Sequence, residues 1–246
     1  MIKIQDAKAM IFAAGLGTRL KPFTDIHPKA LAVVNGKTLL ERNIDYLHGF
    51  GINNLVINIH HFADQIKQFV ERYRDTDIHI ELSHEIDGPY ETGGGLAFAA
   101  SYLRGSSGPF VVMNADILTN LDLNGMFEFH QKIKPLATLA VSKRESSRQL
   151  LFDDQMKLVG WKNNKTQEIK WVGEEQPSAE AFSFSGIHVL SPLIFDLMPS
   201  SGTFSITDMY LILAQEHQII GYNHTGDVVI DVGKPESVFA AESIFK

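Results

Sequence analysis

Through its first half the chain alternates strand-length apolar runs with helix-length amphipathic stretches. No other feature of the sequence restricts the fold as much. Residues 7–13, 55–59 and 110–113 are short, mainly apolar runs, and 78–83 alternates as a strand. Between them, residues 38–50 carry Leu39, Leu40, Ile44 and Leu47 at helical spacing, and residues 62–73 and 94–103 read as further helices. A βαβα order of this kind buries both faces of a sheet under its own crossovers. It predicts an α/β fold, a Rossmann-like, doubly wound and mostly parallel sheet.

The second half is richer in strands. Residues 137–142, 150–152, 156–161 and 182–190 are candidates, followed by a helix at 206–215, strands at 218–223 and 228–231, and a last helix from about 235. The polar stretch 163–177 reads as a loop or hairpin edge. No linker or repeat interrupts the chain, so one domain is expected over 1–246. Its nucleotide-type half would span about 1–120 and its substrate-type half about 121–246.

Composition narrows the functions. A formal net charge of −7 argues against broad binding to nucleic acid or an anionic membrane. It leaves room for a small phosphorylated ligand held by a few local cations. With no cysteine, thiolate catalysis, disulfides and cysteine zinc sites are excluded. No apolar run reaches the ~18 residues of a membrane span, and the start lacks a signal-peptide core, so a cytoplasmic location is expected.

The segment IFAAGLGTRLKPF, residues 11–23, follows the first apolar run. It fails the P-loop spacing, and Leu20 stands where a dinucleotide fingerprint needs its third glycine. Yet Arg19 comes two residues after Gly17, and Lys29 directly follows Pro28. Backbone N–H groups, a forked guanidinium and an ammonium in one segment suit phosphate oxygens. Asp116 and Asp231 each end an apolar run, in VVMNAD and VVIDVG. If both runs are parallel members of one sheet, the two carboxylates open on the same edge, where ligands of such sheets bind. Two carboxylates beside phosphates and water suffice for Mg²⁺. No Ser-His-Asp spacing stands out, and none of the ten histidines is assigned a role.

FAAGLGTRLKPFTDIHPKAL resembles the signature of sugar-1-phosphate nucleotidyltransferases, Ala-Ala-Gly-x-Gly-Thr-Arg-Leu-x-Pro followed by Pro-Lys-x-Leu. Asn114-Ala115-Asp116 resembles that family's Asn-Gly-Asp, and Asp231-Val232-Gly233 with Pro235-Glu236 resembles its closing motif. Ala115 replaces a glycine there, Lys234 a threonine, and Val229 stands where tryptophan is common.

The resemblance implies the nucleotide-diphospho-sugar transferase fold and transfer of a nucleotidyl group from an NTP to a sugar 1-phosphate, with release of pyrophosphate. It implies Arg19 against the leaving pyrophosphate, Lys29 against the reacting phosphates, and Mg²⁺ on Asp116 and Asp231. The nucleotide would meet Ala13, Ala14, Gly15, Gly17, Thr18 and Arg19. It would also meet Asn58, Thr92, Gly93, Gly94 and Asn114. The sugar phosphate would meet Ser185, Gly186 and Asp231. Gly93 to Gly95 would offer a flat backbone surface to the base.

Glu91-Thr92-Gly93-Gly94-Gly95, LVINIHHFADQI and FSFSGIHVLSP look most like N-acetylmuramate 1-phosphate uridylyltransferases. That implies UTP and N-acetylmuramate 1-phosphate. Alternatives are mannose- or heptose-1-phosphate guanylyltransferase, phosphocholine cytidylyltransferase, or a regulatory module that has lost catalysis. No stretch has the six-residue period of the β-helix that longer relatives append.

Overall fold

The structure, a computed structural model, describes residues 2–106 and 108–246. The first half comprises β1 (Lys8–Phe12), β2 (Val33–Val34), β3 (Lys37–Thr38), α1 (Leu39–Gly49), β4 (Asn54–Ile59), α2 (Ala63–Val70), β5 (His79–His84), α3 (Glu91–Phe98), α4 (Ala100–Leu103), β6 (Phe110–Asn114) and β7 (Ile117–Thr119). The second comprises α5 (Leu123–Ile133), β8 (Ala137–Ser142), β9 (Arg148–Phe152), β10 (Leu158–Asn163), β11 (Ile169–Trp171), β12 (Glu180–Leu190), α6 (Ile194–Leu197), α7 (Ile206–Leu213), β13 (Ile219–Asn223), β14 (Val229–Asp231) and α8 (Pro235–Ile244).

The α/β fold read from the sequence is present. A ten-stranded sheet runs β11-β10-β9-β12-β6-β1-β4-β5, with β8 and β13 branching from β12. The parallel set is β6-β1-β4-β5, built from the alternating first half. The second half joins it antiparallel through β12. β1 reads as a continuous apolar run because both its faces are buried. Ala9 and Ile11 pack toward α1, α2 and α5, and Met10 packs toward α3 and α7. Thr38 caps α1 by accepting the Glu41 N–H at 3.1 Å.

Three local departures from expectation shape the site. β12 bends: its register shifts between Phe184 and His188, and Gly186 sits at φ +71°. A Cβ there would lie 2.8 Å from Asn114 Nδ2 and from Ile117 Cγ1, so only glycine fits the corner.

Second, β14 is not a parallel member of the main sheet. It pairs antiparallel with β7 in a separate two-stranded ribbon, with Asp231 opposite Ile117. This pairing, between strands far apart in sequence, with the Val232 N–H donating to Asp116 O at 2.8 Å, brings the two aspartates together. The ends of two parallel strands do not.

Third, the glycine triplet lies inside α3, which starts at Glu91. The edge hairpin suggested for residues 163–177 contains β11, paired with β10. The α5 helix was absent from the sequence reading, although Leu123, Met126, Phe127 and His130 form its buried stripe.

Candidate active site

A cavity of about 320 Å³ opens at the C-terminal ends of β1, β4, β5 and β6. This is where an open α/β sheet offers its crevice. One wall is the loop after β1, with Ala13, Ala14, Gly15, Gly17, Thr18 and Arg19 lining it. Gly15 has nothing within 4 Å of where a side chain would project, so its open face belongs to the cavity. Gly17 is constrained twice. It takes φ +63°, and a Cβ would lie 2.8 Å from Lys29 Cβ and 2.9 Å from Thr24 Cγ2. The loop is thereby folded back over Lys29, while Thr24 Oγ1 donates to Gly17 O at 3.0 Å.

Lys29, beneath this loop, forms an ion pair with Asp116, with only 14% and 22% of their side chains exposed. Asp231 stands beside them. Its Oδ1 is buried without a hydrogen-bond donor. Burial pushes its carboxyl up from the ordinary value, and the neighbouring Asp116 pushes further. Lys29, Arg19 and Arg144 pull the other way. Gly233 leaves the space between Asp231 and Arg19, since a Cβ there would meet Asp231 Oδ1 at 2.6 Å and Arg19 Nη2 at 3.0 Å.

Two carboxylates forced together, one with an orphaned oxygen, suit a hard divalent cation whose other ligands are phosphate and water. Among the described residues no group of three or more His, Asp or Glu converges on a metal position. Any ion here therefore depends on a phosphorylated ligand or water to complete its shell.

The base-side wall is tied by a buried polar chain. Asn58 Oδ1 accepts the Ala13 N–H at 2.7 Å, and its Nδ2 donates to Glu85 Oε1 at 2.7 Å. Glu85 Oε2 accepts the Tyr90 N–H at 2.8 Å. Thr92 also lines the cavity, and its hydroxyl accepts the Ile206 N–H at 3.1 Å. Asn114 lines it beside Asp116.

Five of the residues expected at the site do not line this cavity: Asp231, described above, and four that are packed into the protein. Gly93 and Gly94 are buried, and both donate their N–H to Phe204 O. A Cβ on Gly93 would run into the Phe204 ring, and one on Gly94 into the Gly202 carbonyl. Their smooth face accommodates the 202–204 loop of the protein, which corrects the expectation of a flat surface for the base. Gly186 packs on Asn114 as described, and Ser185 is fully buried.

Ser185 Oγ lies 2.8 Å from His224 Nε2, and Asp227 Oδ2 lies 3.4 Å from His224 Nδ1. Ser185, His224 and Asp227 thus lie together, although His224 Nδ1 has no hydrogen-bond partner. Full burial of Ser185 keeps its hydroxyl from any substrate, and burial pushes the imidazole of His224 down. It braces the β12 bend.

Sequence reasoning missed Glu85 and Arg144. Each follows or ends a strand at the site, β5 and β8, the same signal that marked Asp116. Arg144 is half-buried, donates Nη2 to Phe184 O at 2.9 Å, and has a buried Nε without a partner.

The fold and the site together define an α/β protein that presents a glycine loop, two cations and two aspartates to a phosphorylated ligand. The chain matches the Nucleotidyl transferase family over residues 8–245 and belongs to it. It is 28% identical over 230 residues to mannose-1-phosphate guanylyltransferase catalytic subunit beta of Xenopus tropicalis, covering 93% of this chain and 62% of that protein. The chain thus spans about three fifths of the length of that relative. It is 29% identical over 242 residues to N-acetylmuramate alpha-1-phosphate uridylyltransferase of Caulobacter vibrioides, covering 96% and 95%. A putative glucose-1-phosphate thymidylyltransferase of Bacillus anthracis superposes with a TM-score of 0.78 at 17% identity, over 97% and 94% of the two chains, which shows the common fold. No described helix is long and apolar enough to cross a membrane.

Proposed function

We propose that the protein transfers a nucleotidyl group from an NTP to a sugar 1-phosphate, giving an NDP-sugar and pyrophosphate. The observation carrying this reading is the convergence of Gly15, Arg19, Lys29, Asp116 and Asp231 around one crevice. An acceptor phosphate oxygen attacks the α-phosphorus. The bond from that phosphorus to the oxygen bridging it to the β-phosphorus breaks, and pyrophosphate leaves with the electron pair. The acceptor needs no general base, because a phosphate monoester with a second pKa of about 6 is already ionised at neutral pH. The buried, inaccessible Ser185 agrees with a mechanism of positioning and charge stabilisation.

In this reading the loop amides and Arg19 hold the triphosphate, and Arg19 neutralises the departing charge. Lys29 orients the reacting phosphates. Asp116 and Asp231 would hold Mg²⁺, which when bound offsets the repulsion between the anionic acceptor and the triphosphate. The orphaned Asp231 oxygen supports that assignment.

The finer reading is UTP with N-acetylmuramate 1-phosphate. Its support is the resemblance of the 91–95 segment and the Caulobacter relative. Guanylyl transfer to mannose 1-phosphate is the second reading, supported by the Xenopus relative. A pyrophosphate-release screen crossing four NTPs with a panel of sugar 1-phosphates tests both. UTP should give the highest kcat/KM. Preference for GTP would move the assignment to the second reading, and preference for CTP or ATP would overturn both.

A further inference from the structure

Glu85, the residue after β5, borders the crevice but has no exposed surface. Both of its carboxylate oxygens are engaged by donors of the protein itself. Oε1 accepts from Asn58 Nδ2 at 2.7 Å, and Oε2 accepts the Tyr90 N–H at 2.8 Å. Asn58 is itself only 3% exposed, and its Oδ1 accepts the Ala13 N–H at 2.7 Å. Two side chains therefore join the first residue after β1 to the residue before α3.

The order of donors and acceptors along this chain has one solution. Both ends are backbone N–H groups, which only donate. Asn58 offers one acceptor and one donor, so Glu85 must supply two acceptors. The carboxylate also fixes the Asn58 amide, because the flipped amide would set Nδ2 against the Ala13 N–H and Oδ1 against a Glu85 oxygen. Gly95 is fitted to the same pair. A Cβ there would lie 2.7 Å from Glu85 Oε1 and 2.8 Å from Asn58 Nδ2, so α3 carries a poor helix former where it crosses them. The backbone of Glu85 is held as well, its N–H donating to Ile59 O at 2.9 Å and its carbonyl lying 2.7 Å from His60 Nδ1.

Resting on the nucleotidyl-transfer reading, we propose that Glu85 is a positioning residue that fixes the separation of the two walls gripping the nucleotide. Through Asn58 it holds Ala13, where the glycine loop leaves β1. Through the Tyr90 N–H it holds the start of α3, and with it Thr92 at the cavity edge. It touches neither base nor phosphate. It contributes to nucleotide affinity, by pre-organising walls that the nucleotide would otherwise have to order.

The test exchanges the two functional groups between isosteric side chains. In Glu85→Gln one donor faces another whichever way the two amides turn. In Asn58→Asp two carboxylates face each other. The double variant restores every bond at unchanged total charge: the amide introduced at 85 donates to the carboxylate introduced at 58, and both backbone N–H groups keep an acceptor. UTP and GTP are titrated by calorimetry, and the tighter one is followed. Each single variant should weaken its binding about tenfold and raise its KM by a similar factor, with kcat and the acceptor KM within about threefold of wild type. The double variant should return binding and KM to within about threefold of wild type, whatever the single variants do to Tm. Wild-type nucleotide affinity in Glu85→Gln would overturn the proposal, as would a double variant no better than the worse single one. A changed preference among the four NTPs in Glu85→Gln would also overturn it, by making Glu85 a direct reader of the base. Absence of pyrophosphate release from every NTP and acceptor, with the binding cycle as described, would instead overturn the nucleotidyl-transfer reading alone.

Discussion

Two glycine-rich segments border the crevice, and they exist for opposite reasons. At Gly15 the missing side chain leaves open space, and nothing in the protein fills it. At Gly93 and Gly94 the missing side chains admit the 202–204 loop. The first segment makes room for a ligand. The second makes room for the protein itself, letting α3 approach that loop closely and holding Thr92 at the cavity edge. The contrast extends to charge. On the ligand side Asp231 has an orphaned oxygen and a like-charged neighbour, whereas in the packed interior His130 and Thr138 pair at 2.9 Å.

Substitutions can break this contrast, beginning with the ligand side. Asp231→Asn should lower turnover by roughly a thousandfold, the several kcal/mol that a bound metal supplies to developing charge. The same variant should melt at a higher temperature than the wild type when both are metal-free at neutral pH. The sign follows from the raised carboxyl of Asp231: its charged form costs the folded state stability at neutral pH, and the cost fades as pH falls through the raised folded value and is gone below the unfolded one. A lower Tm with activity retained would place Asp231 on the packing side.

Arg19→Lys keeps a charge but loses the fork. Turnover should fall by roughly a hundredfold, about 3 kcal/mol, with thermal stability unchanged. Near-normal kcat would remove Arg19 from the leaving-group role.

The glycines themselves give the next largest effect. In a helix, Gly→Ala normally gains up to about 1 kcal/mol. Gly94→Ala should instead lose about 3 kcal/mol, because overpacking against a backbone carbonyl outweighs propensity. Gly15→Ala should leave the unfolding midpoint within about 0.5 kcal/mol of wild type while raising KM for the nucleotide. Denaturant titrations of both variants check the pair, and reversed signs would undo the distinction.

The smallest effect comes from the interior histidines. Burial pushes His188 down to about 3 and His130 down to about 4. Both are neutral in the folded protein while the unfolded chain takes up protons near pH 6.5. Their contribution is therefore complete above that pH and is lost progressively as pH falls toward those values. Tm should decline between pH 6.5 and 4, and His130→Gln should flatten the slope. An unchanged slope would assign the acid sensitivity elsewhere.

The parallel half of the sheet was legible because β1, β4 and β6 are mainly apolar runs and β5 alternates as an edge strand, with helical spacing between them. The β1 loop, Lys29 and Asp116 were legible because their motif is contiguous or follows a strand. What escaped depends on pairing at a distance. The β7–β14 ribbon is two three-residue strands with no periodicity to read. The Ser185–His224–Asp227 cluster joins β12 to the turn after β13. At Gly93 and Gly94 the sequence shows that side chains are absent and cannot show that the 202–204 loop occupies the space; Gly95 instead abuts Glu85 and Asn58. Arg144 and Glu85 carried an available signal, a charged residue at or just beyond a strand end, that was applied only to the aspartates.

The central claim is that a nucleotidyl group, and not a terminal phosphoryl group, is transferred in the crevice between Arg19 and Asp231. The most direct measurement follows two isotopes. The protein, Mg²⁺ and N-acetylmuramate 1-phosphate are incubated with UTP labelled on either its α- or its γ-phosphorus, and the products are separated. The account predicts the α label in a nucleotide-sugar and the γ label in pyrophosphate. A γ label transferred to the sugar phosphate, with UDP as the second product, would contradict it.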